Sequence, residues 1–149
     1  PDGTPKVIEF NCRFGDTEAQ PVLMRLQSDL VTLCNQAIDG ALDGVTLDWD
    51  NRAALGVVMA AVGYPEKYSK GDVISGLEQA DGPGLKTFHA GTELVDGQVV
   101  TNGGRVLCVV GLGEDVAAAK TRAYQGVAVI NWRERYFRTD IGHRAVNRG

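Results

Sequence analysis

KVIEFNCRFGD, residues 6–16, sets Glu9, Asn11 and Arg13 at every second position, with Ile8, Phe10, Cys12 and Phe14 between them. Alternation of this kind predicts a strand over Val7–Phe14, apolar on one face and polar on the other, ending at Gly15-Asp16. Side chains two apart on a strand stand about 7 Å apart on one face, so Glu9 and Asn11 aim two oxygens at one point while the apolar residues anchor the other face. One anionic and one neutral oxygen suit magnesium, a hard ion that takes one or two protein carboxylates and leaves its remaining positions to water and phosphates. Arg13, on the same face, adds a forked cation able to grip a phosphate or carboxylate in two places. A half-exposed strand with a solvated polar face accounts for the same three residues, so spacing alone leaves both readings open.

Outside this stretch, 149 residues at 44% hydrophobic suffice for one well-cored domain, or a small domain plus a piece of another. Fifteen Lys and Arg against nineteen Asp and Glu leave a net charge of -4, so no overall positive field draws in nucleic acid or a membrane surface, and neither is expected as a partner. Any phosphate site must be local. Cys12, Cys34 and Cys108 are odd in number and far apart, fitting neither a disulfide framework nor a zinc spacing; they read as buried, reduced thiols in a cytoplasmic protein. No run approaches the roughly 18 apolar residues of a membrane span, and the start does not resemble a signal peptide. Asp2-Gly3 just ahead of the apolar run is a hairpin-turn signal whose first arm is missing. The chain, starting at Pro1, therefore reads as a fragment cut inside a sheet, with a trimmed natural terminus as the alternative.

From Pro21, a first-turn proline, Leu23, Leu26, Leu30, Leu33, Cys34, Ala37 and Ile38 recur at helical spacing, predicting one amphipathic helix with a buried face that runs to about Asp39-Gly40. The polar stretch around Asp48, Trp49 and Asp50 reads as a linker with solvated capping carboxylates. Ala53–Val62 is a buried strand stopped by Gly63-Tyr64-Pro65. Short strands are expected over Asp72–Leu77, Lys86–Ala90, Thr92–Val95 and Gln98–Thr101, with tight turns at Asp96-Gly97 and Asn102-Gly103-Gly104. Arg105–Gly111 reads as a core strand, and Asp115 precedes a helix of about four turns marked by Val116, Ala119, Ala123, Val127 and Ile130. The tail is basic and mixed. The expected class is α+β, with a mostly antiparallel sheet and packed helices.

Several features carry two readings. Gly111-Leu112-Gly113 follows a strand and precedes a helix, but a third glycine is missing and Glu114-Asp115 would repel a pyrophosphate, so it is read as a turn feeding a helix cap. His89 is either a satisfied strand histidine or a cleft residue, and His143 is equally ambiguous. Asn102-Gly103-Gly104-Arg105 is the best second site, since two glycines let a ligand approach backbone and Arg105 can meet a phosphate; a plain hairpin with a surface arginine is the alternative.

PKVIEFNCRFGDTEAQPVLMRLQSDL (5–30), then LGVVMAAVGYP, KTFHAGT, VVTNGGRVLCVVGLG and DIGHRA in the same order, resembles the carboxyl-terminal third of the glycinamide ribonucleotide synthetases, or phosphoribosylamine-glycine ligases, of de novo purine synthesis. The resemblance runs the whole length. It implies that residues 1–20 hold the last strand and turn of an ATP-grasp domain, 21–52 a linking helix and loop, and 53–149 a carboxyl-terminal α+β domain. It implies that Glu9 and Asn11 hold Mg2+ or Mn2+ in the ATP site and that Arg13 acts catalytically beside the transferred phosphoryl group. Asp16, His89, Asn102, Gly103 and Arg105 are then substrate-binding candidates. The family motif continues Gly-Asp-Pro-Glu-Thr-Gln where this chain has Gly15-Asp16-Thr17-Glu18-Ala19-Gln20, so a substrate role for this turn is put in doubt.

The implied reaction joins glycine to 5-phosphoribosylamine with ATP through an acyl phosphate, giving glycinamide ribonucleotide, ADP and phosphate. The implied partners are these small molecules and the remainder of the chain upstream of Pro1. A glycine-rich lid, a lysine and an adenine pocket are not found in this stretch, so the piece alone is expected to be inactive. Alternatives are another ATP-grasp carboxylate-amine ligase or a non-catalytic α+β binding module.

Overall fold

In the computed structural model, residues 6–146 are described, and the expected Asp2-Gly3 turn lies outside them. The elements in chain order are α1 (Ala19–Arg25), α2 (Leu30–Ile38), β1 (Ala53–Ala61), β2 (Leu85–His89), β3 (Thr92–Val95), β4 (Gln98–Thr101), β5 (Arg105–Gly113), α3 (Val116–Val129), β6 (Arg135–Phe137) and α4 (His143–Val146).

The two longest apolar runs, β1 and β5, become the centre of a four-stranded sheet of order β2-β5-β1-β6, antiparallel throughout. Buried on both faces, they need no polar alternation. Their register sets Val57 opposite Val109 and Met59 opposite Leu107, and all four are fully buried. Strands β3 and β4 form a separate hairpin turned by Asp96-Gly97. The class is α+β, as the residues imply.

Helix α3 begins at Asp115, whose Oδ1 accepts from the Ala118 N–H at 2.7 Å. It buries Ala119, Ala123, Gly126 and Val127, a face of mostly small residues. Opposite lie Gly111 and Gly113 of β5, and a Cβ on Gly111 would stand 2.5 Å from both the Ala119 carbonyl oxygen and the Ala123 nitrogen. Gly111-Leu112-Gly113 is therefore not the expected turn. It continues the strand, and its glycines let helix backbone approach sheet backbone.

Three other expectations are corrected. Val7–Phe14 forms no strand among the described residues and bends at Cys12-Arg13, and its apolar side chains meet solvent: Ile8 is 96% and Phe10 82% exposed. Alternation marks a chain suited to a sheet, but a strand exists only where a neighbour takes up its N–H and C=O groups. The single helix from Pro21 to Gly40 is two helices, neither with a buried residue. The break follows from Ser28 and Asp29: Ser28 Oγ accepts from the Asp48 N–H at 2.8 Å, and Asp29 caps α2 through the Thr32 N–H. The freed backbone is stitched to the supposed linker, where Leu26 bridges Trp49 and the Asp50 carbonyl accepts from Arg25 Nε and Nη2 at 3.1 and 3.0 Å. Asp72–Leu77 makes only isolated bridges, Val73 to Val100 and Ser75 to Asn131, and the basic tail holds an edge strand, β6, that pairs with the end of β1.

Candidate functional site

The arm of residues 6–14 brings Glu9, Asn11 and Arg13 into a hydrogen-bonded row. Asn11 Nδ2 donates to Glu9 Oε1 at 2.9 Å, and Arg13 Nη1 donates to Asn11 Oδ1 and, at 3.1 Å, to the Phe14 carbonyl. All three side chains are exposed. The row runs from anion through amide to cation. Glu9 and Asn11 carry oxygens of the kind magnesium or manganese takes, but Asn11 Oδ1 accepts from Arg13 here, so a metal ion would displace that bond and draw most of its ligands from water and substrate oxygens. Among the described residues, no group of three or more His, Cys, Asp or Glu could enclose a metal by itself.

Next along the chain is a fixed turn. Gly15 is buried, its N–H donates to Glu18 Oε1 at 2.8 Å and its carbonyl accepts from the Ala19 N–H at 3.1 Å. Thr17 has φ +78°, a region that β-branched residues rarely adopt and that proline, locked near −65°, cannot reach. The turn is thus one that a proline at position 17 could not build.

Asp16 is held from two sides. Arg105 Nε lies 2.8 Å from Asp16 Oδ2, and Gln20 Nε2 donates to Oδ1 at 3.4 Å, while Gln20 Oε1 is buried without a partner. Arg105, the first residue of β5, stacks its guanidinium 5.8 Å from the Tyr64 ring centre. Tyr64 lies so close over Gly104 that any Cβ there would overlap the ring. Gly103 packs against Gly91, with Gly91 N–H bonded to the Arg105 carbonyl at 2.9 Å and Asn102 N–H to the Gly91 carbonyl at 2.7 Å. What approaches these two glycines is protein backbone and a tyrosine ring. At the same corner His89 Nδ1 meets Thr92 Oγ1 at 3.0 Å, and His89 and Asn102 are exposed. His143 stands apart, bonded to the Asp140 carbonyl at 2.7 Å.

The structure therefore gathers Glu9, Asn11 and Arg13 in one group, and Asp16 with Arg105 in another that adjoins His89, Asn102 and Gly103. Tyr64 and Gln20 were missed by sequence reasoning. Gly63-Tyr64-Pro65 signalled only the end of a strand, and no spacing rule links position 64 to position 105.

The cysteines also divide. Cys12 and Cys34 are exposed, against expectation, whereas Cys108 is buried in β5. Burial, and secondarily the Asp16 charge, pushes the Cys108 thiol up to about 11. At pH 8 a thiol reagent is expected to modify two of the three cysteines, and the third only after unfolding, as peptide mass mapping would show. Linkage has a definite sign here. The unfolded thiol ionises near its ordinary value of 9.0 while the folded one keeps its proton to about 11, so stability falls as pH rises through that window, by up to about 3 kcal/mol.

Among the described residues, no helix is long and apolar enough to cross a membrane. The chain matches the family model described as phosphoribosylglycinamide synthetase, C domain, over residues 54–144. It is similar to phosphoribosylamine-glycine ligases of Vibrio parahaemolyticus and Allochromatium vinosum, 58% and 60% identical over 147 residues, which make up 99% of this chain and 34% of each relative. Its structure is similar to the crystal structure of phosphoribosylamine-glycine ligase from Thermotoga maritima, with TM-score 0.73 and 33% identity over 94% of this chain and 34% of that one. The chain spans about a third of the length of the relatives it matches. It belongs to the phosphoribosylglycinamide synthetase C-domain family.

Proposed function

We propose that this chain works as the carboxyl-terminal third of a phosphoribosylamine-glycine ligase in purine biosynthesis, within the cytoplasm. The observation that carries the reading is the near-complete match of the chain, at 58 to 60% identity, to ligases of which it covers only 34%. In this reading residues 1–20 complete an ATP-grasp domain, 21–52 link, and 53–149 form the carboxyl-terminal domain.

The reaction divides into two displacements. The glycine carboxylate takes the γ-phosphoryl group of ATP, releasing ADP, and the amine of 5-phosphoribosylamine then displaces phosphate from the acyl phosphate. Glu9 and Asn11 would hold Mg2+ or Mn2+, and Arg13 would lie against the phosphoryl oxygens. The metal ion supplies neutralisation of phosphate charge. Arg13 contributes a fixed cation whose attraction grows as charge spreads over the transferred group. What supports the assignment is that one short segment carries the three groups next to one another; a metal ion on Asn11 Oδ1 would displace the Arg13 bond and leave that guanidinium for phosphoryl oxygens. His89, Asn102 and Gly103 would face the substrate from the adjoining corner.

The 149-residue chain alone is expected to show no turnover, and no micromolar binding of ATP with magnesium by calorimetry. Joined to the amino-terminal two thirds of the Escherichia coli relative, 58% identical over the matched third, it is expected to convert glycine and 5-phosphoribosylamine to glycinamide ribonucleotide. A joined enzyme that uses a different carboxylate or amine would point to another ligase of the same fold. One with no ATP-dependent activity, while folded, would rule out the catalytic reading.

A further inference from the structure

Asp16 and Arg105 come from distant parts of the chain, and both were read as substrate contacts. In the structure each is spent on the other. The side chains of Glu9, Asn11 and Arg13 make their hydrogen bonds along the arm. The first cross-link from the arm's base to the sheet is the Asp16–Arg105 pair, 2.8 Å long.

Its geometry is determined on both sides. On the sheet side, Arg105 rests on Tyr64, Tyr64 rests on Gly104 where no Cβ fits, and the Gly104 carbonyl is tied to the Ala61 N–H at 2.8 Å. A guanidinium lying near an aromatic face is limited in its orientations, and Nε is the atom it brings within ion-pair distance of Asp16. On the arm side, Gln20 holds the other Asp16 oxygen, and the turn around it is closed by Glu18 and Ala19. Thr17 at φ +78° is a conformation that persists only when its surroundings over-determine it. The pair itself is half-exposed, with side chains 46% and 40% accessible, a setting in which ion pairs add little to stability. What such a pair does supply is a tether between the arm's base and the sheet.

We propose that Arg105 is a positioning residue which, through Asp16, sets the angle at which the Glu9–Asn11–Arg13 arm leaves the sheet domain. The inference rests on the reading of that arm as the phosphoryl-handling part of the ligase. Tyr64 and Gln20 are the two supports of the same joint. The cation at position 105 acts on the reaction from a distance, by holding oxygen donors and Arg13 where reacting phosphates arrive, because small misplacements of such groups cost large factors in rate.

Two experiments separate the joint from the reading beneath it. In the 149-residue chain, 15N relaxation of residues 6–14 reports the arm directly: Arg105→Gln and Asp16→Asn are each expected to raise its nanosecond mobility, and Asp16→Asn with Arg105→Gln no further than either alone. Unchanged relaxation in both single variants overturns the proposal whatever the kinetics show. In the joined ligase, each single variant is expected to lower kcat about tenfold with KM for 5-phosphoribosylamine unchanged, and the exchanged pair Asp16→Arg with Arg105→Asp to recover part of the loss. Raised KM for 5-phosphoribosylamine with kcat intact overturns it too, making Arg105 a substrate ligand, as would losses that add in the double variant. Loosened arm with kinetics untouched keeps the joint and sinks the catalytic reading of the arm, and with it the assigned role.

Discussion

Glu9→Gln in the joined ligase is expected to lower turnover about 100-fold at low magnesium, with part of the loss recovered as magnesium is raised. The substitution is conservative in shape. Gln keeps an oxygen where Asn11 Nδ2 now donates at 2.9 Å, so the row survives, and an exposed site tolerates the change within about 0.5 kcal/mol of stability. What disappears is the negative charge. In the proposed metal site Glu9 would supply the anionic oxygen beside the neutral one of Asn11, and metal ions contribute several kcal/mol to phosphoryl-transfer transition states. Losing about 3 kcal/mol of that is two decades in rate. Magnesium titration of the variant reads affinity apart from chemistry, and a urea midpoint measured on the 149-residue chain shows that folding is intact. Full turnover at low magnesium would remove Glu9 from the metal site and leave the solvated-face reading of the opening stretch.

That stretch shows where sequence reading reaches and where it stops. Glu9, Asn11 and Arg13 meet because they are close in sequence: the side chains bond in series even though no sheet forms and the chain bends at Cys12-Arg13. Strand formation is not local. Exposed Ile8 and Phe10 display a pattern awaiting a neighbour that the described residues do not provide. Likewise β1, β5 and α3 were legible since their apolar content, and the Asp115 cap, lie within each element. Strand β6 was not, because three residues with an arginine at one end become a strand only through the register with Met59–Ala61. The break between α1 and α2 was hidden by Leu26, Leu30 and Leu33, whose helical spacing continues across it. Ser28 and Asp29 decide the matter through partners at Asp48 and Thr32. The Asp16–Arg105 ion pair has no signature in either neighbourhood, because no local rule links position 16 to position 105.

Gly111→Ala tests the packing that builds the sheet domain, and it is expected to destabilise the 149-residue chain by about 3 kcal/mol, or to prevent folding. The added methyl would stand 2.5 Å from the Ala119 oxygen and the Ala123 nitrogen and 3.1 Å from the Arg122 carbonyl carbon. All three are backbone atoms of one helix, so no rotamer change relieves the overlap. The helix must lift from the strand. Lifting it opens gaps around Ala119, Ala123 and Val127, which are almost wholly buried, and lost dispersion contacts add to the overlap itself, so the cost reaches the upper end of that for overpacked cores. For a chain of this size, such a loss lowers Tm by roughly 10 °C. Gly82→Ala is the matched control: a Cβ there meets nothing within 4 Å and the residue is exposed, so its expected change is within about 0.5 kcal/mol. Urea unfolding of both variants compares a glycine required by backbone approach with one that is not. Equal, small losses would mean that α3 sits higher on β5 than the structure places it. The depth of the helix on the sheet also governs how tightly β5 is held, and β5 begins with Arg105. A loosened helix that leaves the arm's relaxation unchanged would show that Tyr64 and Gly104 seat that guanidinium without help from the far side of the sheet.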